Sequence, residues 1–151
     1  MIPRAVLDTN AALDWLVFRD PAAQAFGQAI EAGRLRWLAT PAMRHEFEQV
    51  LGRPALALWA PETAAAAAAW AAHARLAETE PAPGPLRCTD PDDQMFIDAA
   101  LRGRATWLLT RDRALLALAR RARAYGVTVL TPLVWKEIHA MSALTPDPVS
   151  A

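Results

Sequence analysis

Short apolar runs along the chain each end on a polar residue, and helical spacing fills the intervals between them. Arg4–Asp8 reads as a buried strand, Ala5-Val6-Leu7 running straight into an acid. Helices are predicted over Ala11–Phe18 and Ala22–Ala32, the second started by Asp20-Pro21 and closed by Gly33, since proline suits a first helical turn and glycine a helix end. Arg36–Thr40 is a second strand, and Thr40-Pro41 opens a helix from Ala42 to about Gly52. Residues 53–60 fit a short helix or a loop. The alanine-rich stretch from Glu62 to about Glu80 predicts one long helix, alanine having the highest helix propensity. Residues 81–87, Pro-Ala-Pro-Gly-Pro-Leu-Arg, form a linker. Beyond it the pattern gives a helix from about Asp92 to Arg102, a strand Ala105–Thr110, a helix Ala114–Tyr125 stopped by Gly126, a strand Val127–Leu130 and a helix Leu133–Met141. Ser142–Ala151 reads as a disordered tail. Strands alternating with helices predict an α/β fold, with a central, mostly parallel sheet of four to five strands between helical layers. The expected organisation is one domain over residues 1–141 with the tail after it.

Composition narrows the class. The chain has 151 residues, enough for one domain with a full core. Sixteen basic and sixteen acidic residues leave the formal net charge at zero, so any nucleic-acid binding must come from local patches. Lys136 is the single lysine among those cations; the rest are arginines, which suit bidentate phosphate contacts. Cys88 is the one cysteine, which excludes an internal disulfide and a thiolate metal cage and fits a reducing, cytoplasmic setting. No signal peptide and no membrane span is expected, since the alanine run near Ala64–Ala72 is short and flanked by Glu62, His73 and Arg75.

Candidate chemistry lies in four acids. Asp8 ends the first strand and Asp112 follows the strand ending in Thr110, so a parallel sheet delivers both to its carboxyl edge, where open α/β folds bind ligands. Each would equally serve as a helix N-cap. Glu46 borders the apolar stripe Met43, Phe47, Val50 and Leu51 of its helix, where an acid needs a partner; a surface glutamate is the plainer alternative. Asp93 shares a helical face with the core residues Phe96, Ile97 and Ala100, whereas Asp90 and Asp92 suit cap and first-turn positions. Asp98 fits either a ligand or a salt-bridge partner. Acids gathered in one site repel and raise one another's pKa values, which hard divalent cations with oxygen ligands resolve. His45, His73 and His139 lack metal-ligand spacing, which disfavours zinc.

The ordered set resembles the PIN-domain family of ribonucleases, which includes the VapC-type toxins of bacterial toxin–antitoxin pairs. Leu7-Asp8-Thr9-Asn10 resembles its opening motif, and Glu46-Phe47-x-x-Val50-Leu51-x-Arg53 the helix with its second acid. Asp90-Pro91-Asp92-Asp93-x-x-Phe96-Ile97 resembles the third segment, and Leu108-Leu109-Thr110-x-Asp112 the fourth. The similarity spans about residues 5–135. It implies a three-layer α/β/α fold, Mg2+ or Mn2+ as cofactor and hydrolysis of single-stranded RNA. By the same resemblance Asp8, Glu46, Asp93 and Asp112 are the catalytic, metal-binding acids, with Asp92 as the rival to Asp93, and Thr9, Asn10 and Thr110 support them. It also implies a homodimer and an antitoxin protein partner.

Arg111, Arg113 and Arg120, with Arg121 and Arg123, offer RNA phosphate contacts or else a solvated helix face. Of the six tryptophans, Trp37 and Trp107 are expected in the core, while Trp59, Trp70 and Trp135 are candidates for an interface. A haloacid-dehalogenase-type phosphatase would want an acid where Asn10 stands, and a phospho-receiver domain a pair of acids after strand one. The alternative kept open is a catalytically inactive PIN-like RNA-binding module.

Overall fold

In the computed structural model, residues 1–144 are described. Among the described residues fifteen short elements alternate, beginning with strand β1 (Arg4–Leu7), helix α1 (Thr9–Leu16), helix α2 (Pro21–Glu31) and strand β2 (Arg36–Ala39). Then come helix α3 (Pro41–Leu51), a 3-10 turn (Pro54–Trp59), helix α4 (Ala60–His73) and strand β3 (Ala74–Leu76). A second 3-10 turn (Pro91–Asp93) leads into helix α5 (Gln94–Arg102) and strand β4 (Trp107–Leu109). Helices α6 (Arg113–Leu116) and α7 (Ala119–Arg123), strand β5 (Thr128–Leu130) and helix α8 (Pro132–Leu144) complete it.

The five strands form one parallel sheet in the order β3-β2-β1-β4-β5, giving the three-layer α/β/α architecture that the alternating pattern predicts. The chain runs outward from β1 through β2 to β3, then crosses back to β4 on the other side of β1. The carboxyl ends of β1 and β4 therefore flank a topological switch point, the usual place for a ligand in open α/β sheets. Right-handed crossovers put α1 to α4 on one face of the sheet and α5 to α7 on the other. Both faces are covered, so Ala5, Val6 and Leu7 are all buried, as parallel strands require.

Register explains where the tryptophans go. Ala5 pairs with Trp37 on one side and Trp107 on the other, so a small central residue separates two indoles on the same sheet face. Trp37 meets Trp15 edge-on at 5.5 Å and Trp70 at 5.4 Å. Trp135 stacks on His139 at 3.7 Å, and His139 also meets Trp107. Trp70 and Trp135 are thus core residues, not the interface candidates expected, because α4 and α8 turn these rings towards the tryptophan layer. Gly27 serves the same packing. A Cβ there would stand 2.1 Å from Trp15 Nε1, so helix α2 carries a glycine at its centre despite the propensity cost of about 1 kcal/mol.

The structure corrects three boundaries. The long helix predicted to about Glu80 ends at His73, and Ala74–Leu76 is an edge strand paired with β2 from Trp37 to Ala39. Leu118 N–H bonds Leu115 C=O, a tight turn that splits the predicted helix 114–125 into α6 and α7. Helix α8 runs to Leu144, past the expected start of the tail; the remainder of that tail, residues 145–151, lies outside the described residues. Residues 53–60, open between helix and loop, hold the 3-10 turn. Among the described residues, no helix is long and apolar enough to cross a membrane.

Candidate active site

Asp8 follows the last residue of β1 and caps α1, its Oδ1 accepting the Ala11 N–H at 2.8 Å. Its Oδ2 accepts the hydroxyl of Thr110, the buried residue that follows β4. The same Thr110 oxygen accepts the Asp112 N–H at 2.9 Å. Asp112 in turn caps α6, Oδ1 accepting from Ala114 N–H at 2.8 Å. Both capping readings of the sequence therefore hold, and neither excludes a second role. A carboxylate has two oxygens, and the caps use one of each.

Asp8, Glu46, Asp93 and Asp112 line one cleft of about 350 Å3 at this edge, together with Thr9 and Asn10. Glu46 reaches it from α3, where Met43, Phe47 and Val50 are buried and Glu46 stays half exposed at their border. Thr9 donates its hydroxyl to Glu46 Oε2, joining the start of α1 to α3. Asp93 comes from the turn ahead of α5 and is half-buried, whereas Asp92 is exposed and does not line the cleft. The six acidic and supporting side chains drawn from separate stretches of sequence thus face one space, with Thr110 behind them.

The electrostatics are those of crowded acids. The Asp8 carboxyl is pushed up to about 6, first by burial and then by the Asp112 charge, against the hydrogen bonds from Thr110 and Ala11. Asp93 is pushed up to about 7, first by burial, then by the adjacent Asp112 carboxylate and the charges of Asp90 and Asp8. Asp93 Oδ2 is buried without a hydrogen-bond partner. Carboxylate oxygens of Asp90, Asp93 and Asp112 all lie within 4.8 Å of one another. Converging oxygen donors, one of them buried and unpaired, fit a hard divalent cation, which would relieve the repulsion and satisfy the orphan atom.

Asp90 is the residue that sequence reasoning left out of the site. It does cap, accepting the Asp92 N–H at 3.0 Å, but its carboxylate also joins the acidic group. The crowding of acids in Asp90-Pro91-Asp92-Asp93 was the available signal. Phe18 and Arg53 also line the cleft. Arg111, Arg113 and Arg120 do not. The Arg111 guanidinium turns to Asp14 on α1, with Nε and a terminal nitrogen 2.8 and 3.1 Å from its two carboxylate oxygens. Arg111 stands between Thr110 and Asp112, so this pair pins the connection after β4 to helix α1. Arg113 and Arg120 are exposed on α6 and α7. Asp98 is a buried anchor for the linker rather than part of the cleft, accepting the Gly84 N–H at 2.8 Å.

A family model described as PIN domain matches residues 4–114, a span that contains every acid of the cleft. No curated protein matches the chain.

Proposed function

The chain belongs to the PIN-domain family, whose members are generally metal-dependent nucleases, and from that premise we propose that it is a Mg2+- or Mn2+-dependent endoribonuclease acting on single-stranded RNA. The observation that carries the reading is the convergence of Asp8, Glu46, Asp93 and Asp112 in one cleft at the switch point of the sheet. Asp90, Asp93 and Asp112, whose carboxylate oxygens lie together, would hold the cation, with Asp8 and Glu46 as further acids lining the same cleft. When bound, a hard divalent ion neutralises charge on a phosphodiester and promotes attack by water.

The protein's own groups prepare that chemistry. Thr110 fixes the Asp8 carboxylate and, through the Asp112 N–H, the start of α6. Thr9 fixes Glu46, and Asn10 offers an exposed amide at the cleft wall to orient substrate or water. The Arg111–Asp14 pair ties the connection between Thr110 and Asp112 to helix α1. The lone thiol of Cys88 suits a reducing cytoplasm. A role as the toxin of a toxin–antitoxin pair, an antitoxin partner and a homodimer are supported by the resemblance of the motif segments to VapC-type toxins.

The test is cleavage of single-stranded RNA with Mg2+ or Mn2+ by wild type and Asp8→Asn. Losing a direct ligand should cost more than the roughly 10–100-fold typical of outer-shell changes. Equal cleavage by the two proteins would end the assignment of Asp8. Binding of RNA without cleavage by wild type, at any divalent ion, would replace the nuclease with an RNA-binding module.

A further inference from the structure

Phe18, on the wall of the acidic cleft, and Trp59, which packs against it, have no part in the chemistry above. Phe18 exposes 39% of its surface and Trp59 38%, while Trp15, Trp37, Trp70 and Trp135 expose 6% or less. The two rings come from different elements, the α1–α2 connection and the end of the 3-10 turn Pro54–Trp59. They meet edge to face, centroids 5.1 Å apart and planes at 88°. Phe18 is a wall of the same cleft as Asp8 and Glu46, and Arg53, just ahead of the 3-10 turn, is another. Arg53 is exposed, and among the described residues no hydrogen bond or ion pair engages its guanidinium.

The exposure of Phe18 is built, not slack. Its N–H bonds Leu13 C=O at 3.0 Å, and the Asp20 N–H bonds Asp14 C=O at 2.8 Å. Between them Arg19 takes φ 52°, a left-handed conformation that costs a non-glycine residue about 1 kcal/mol. The Phe18 ring held there is an apolar wall of a cleft lined by carboxylates. An apolar ligand would gain nothing from those acids. A ligand that is flat and apolar in one part and phosphate-bearing in the next suits both, and Arg53 supplies the cation that the acidic wall lacks. Duplexes hide their base faces, so the fitting partner is a single strand.

We infer that Phe18 and Trp59 form a stacking platform for unpaired bases of a single-stranded nucleic acid, with Arg53 on a neighbouring phosphate; this rests on the nuclease reading of the adjacent acids. The platform sets where along the strand the scissile phosphate falls, and it favours unpaired substrate over duplex.

The test is fluorescence anisotropy of a labelled oligouridylate of about 12 nucleotides, within the usual single-strand site size. It is run in an Asp8→Asn background, with gels confirming that the strand stays intact. Phe18→Ala and Trp59→Ala should each weaken binding about fivefold or more, the lower range for loss of one base–aromatic stack. Trp59→Phe should stay within about twofold, because the ring is kept; it also guards against misfolding of the alanine variant. Arg53→Ala should reduce the salt slope by about one, while the ring variants leave it unchanged. Binding of the matching duplex should be weaker and insensitive to the rings. Equal binding by all variants overturns the platform, as does a wild-type surface that binds no single strand or loses duplex and single strand alike. A change of oligomeric state in Trp59→Ala with binding unchanged overturns it too, and assigns the rings to contact with a second copy. The two readings fail separately. Ring-dependent binding by a wild type that never cuts would sink the nuclease alone, and cutting with ring-independent binding would sink the platform alone.

Discussion

Thr110 carries no charge, yet its one hydroxyl serves two of the acids, donating to Asp8 and accepting from the Asp112 N–H. It is fully buried, so water cannot replace either bond. Thr110→Val keeps the shape and the β-branching of the residue but leaves a buried carboxylate oxygen and a peptide N–H each short of a partner. We expect a loss of about 1–3 kcal/mol in urea unfolding. Nuclease activity should drop about 10–100-fold, as for other groups that orient a ligand, with Thr110→Ser recovering most of both. A valine variant as stable and active as wild type would show that the bridge is idle. At this scale the sequence was a good guide where a strand end dictated position. Asp8 and Asp112 were legible because parallel strands deliver such residues to one edge. Glu46 was legible as an acid on the border of an apolar stripe. Asp90 was not, because a capping aspartate gives no sign in the sequence that its carboxylate also faces neighbouring acids. The Arg111–Asp14 pair was hidden for a different reason: nothing in either local stretch says which helix the connection after β4 will meet.

At the scale of elements, helix α5 does more than cover the sheet. Gln94, Asp98 and Arg102 recur at a spacing of four and so share one face, and that face grips the proline-rich linker. Gln94 donates to Leu86 C=O at 2.8 Å and accepts the Cys88 N–H at 2.7 Å, Asp98 takes the Gly84 N–H, and Arg102 donates to Pro83 C=O at 2.7 Å. The linker has little secondary structure of its own, so these bonds are its backbone partners. Asp98→Ala should therefore free the linker locally, with faster trypsin cleavage at the exposed Arg87 under native conditions and a stability loss of about 1–3 kcal/mol. Cleavage at the wild-type rate would mean that Gln94 and Arg102 hold the linker without it. The linker was legible as a helix breaker, but not as a strap, since the binding face belongs to a helix that follows it. Strand β3 was missed because Ala74-Arg75-Leu76 has high helix propensity and follows an alanine run. Pairing with β2 overrides that preference, and such pairing is invisible to local pattern. Trp70 and Trp135, two of the three tryptophans offered as interface candidates, are buried for the same reason. Period shows that an indole is on a helix, not that β2 presents Trp37 to meet Trp70 or that His139 lies stacked on Trp135.

For the molecule as a whole, folding gathers like charges from residues 8 to 112 into one edge of a chain whose net charge is zero. Two electrostatic accounts then predict opposite pH behaviour. General self-repulsion is least near zero net charge, so it would make the metal-free protein most stable around neutral pH. The local cluster predicts otherwise. Asp8 rises from 3.8 to about 6 on folding, and Asp93 from 3.8 to about 7. Between about pH 4 and pH 7 the folded state therefore binds more protons than the unfolded state, and stability falls as pH rises through that window. For the deeply buried Asp8 alone, a rise of that size is worth about 2–3 kcal/mol. This local contribution should win, because the charges that oppose it are spread over an exposed surface and screened. Urea unfolding in chelator from pH 4 to pH 8 should show wild type losing about this much relative to Asp8→Asn, whose amide cannot ionise. Mg2+ or Mn2+ should reverse the ranking at pH 7 and do little at pH 4, where the carboxyls hold protons that a cation must displace. If the two proteins kept a constant gap across the range and ignored the ions, the acids would not be converging in solution, and the case for a shared cation site would fall with them.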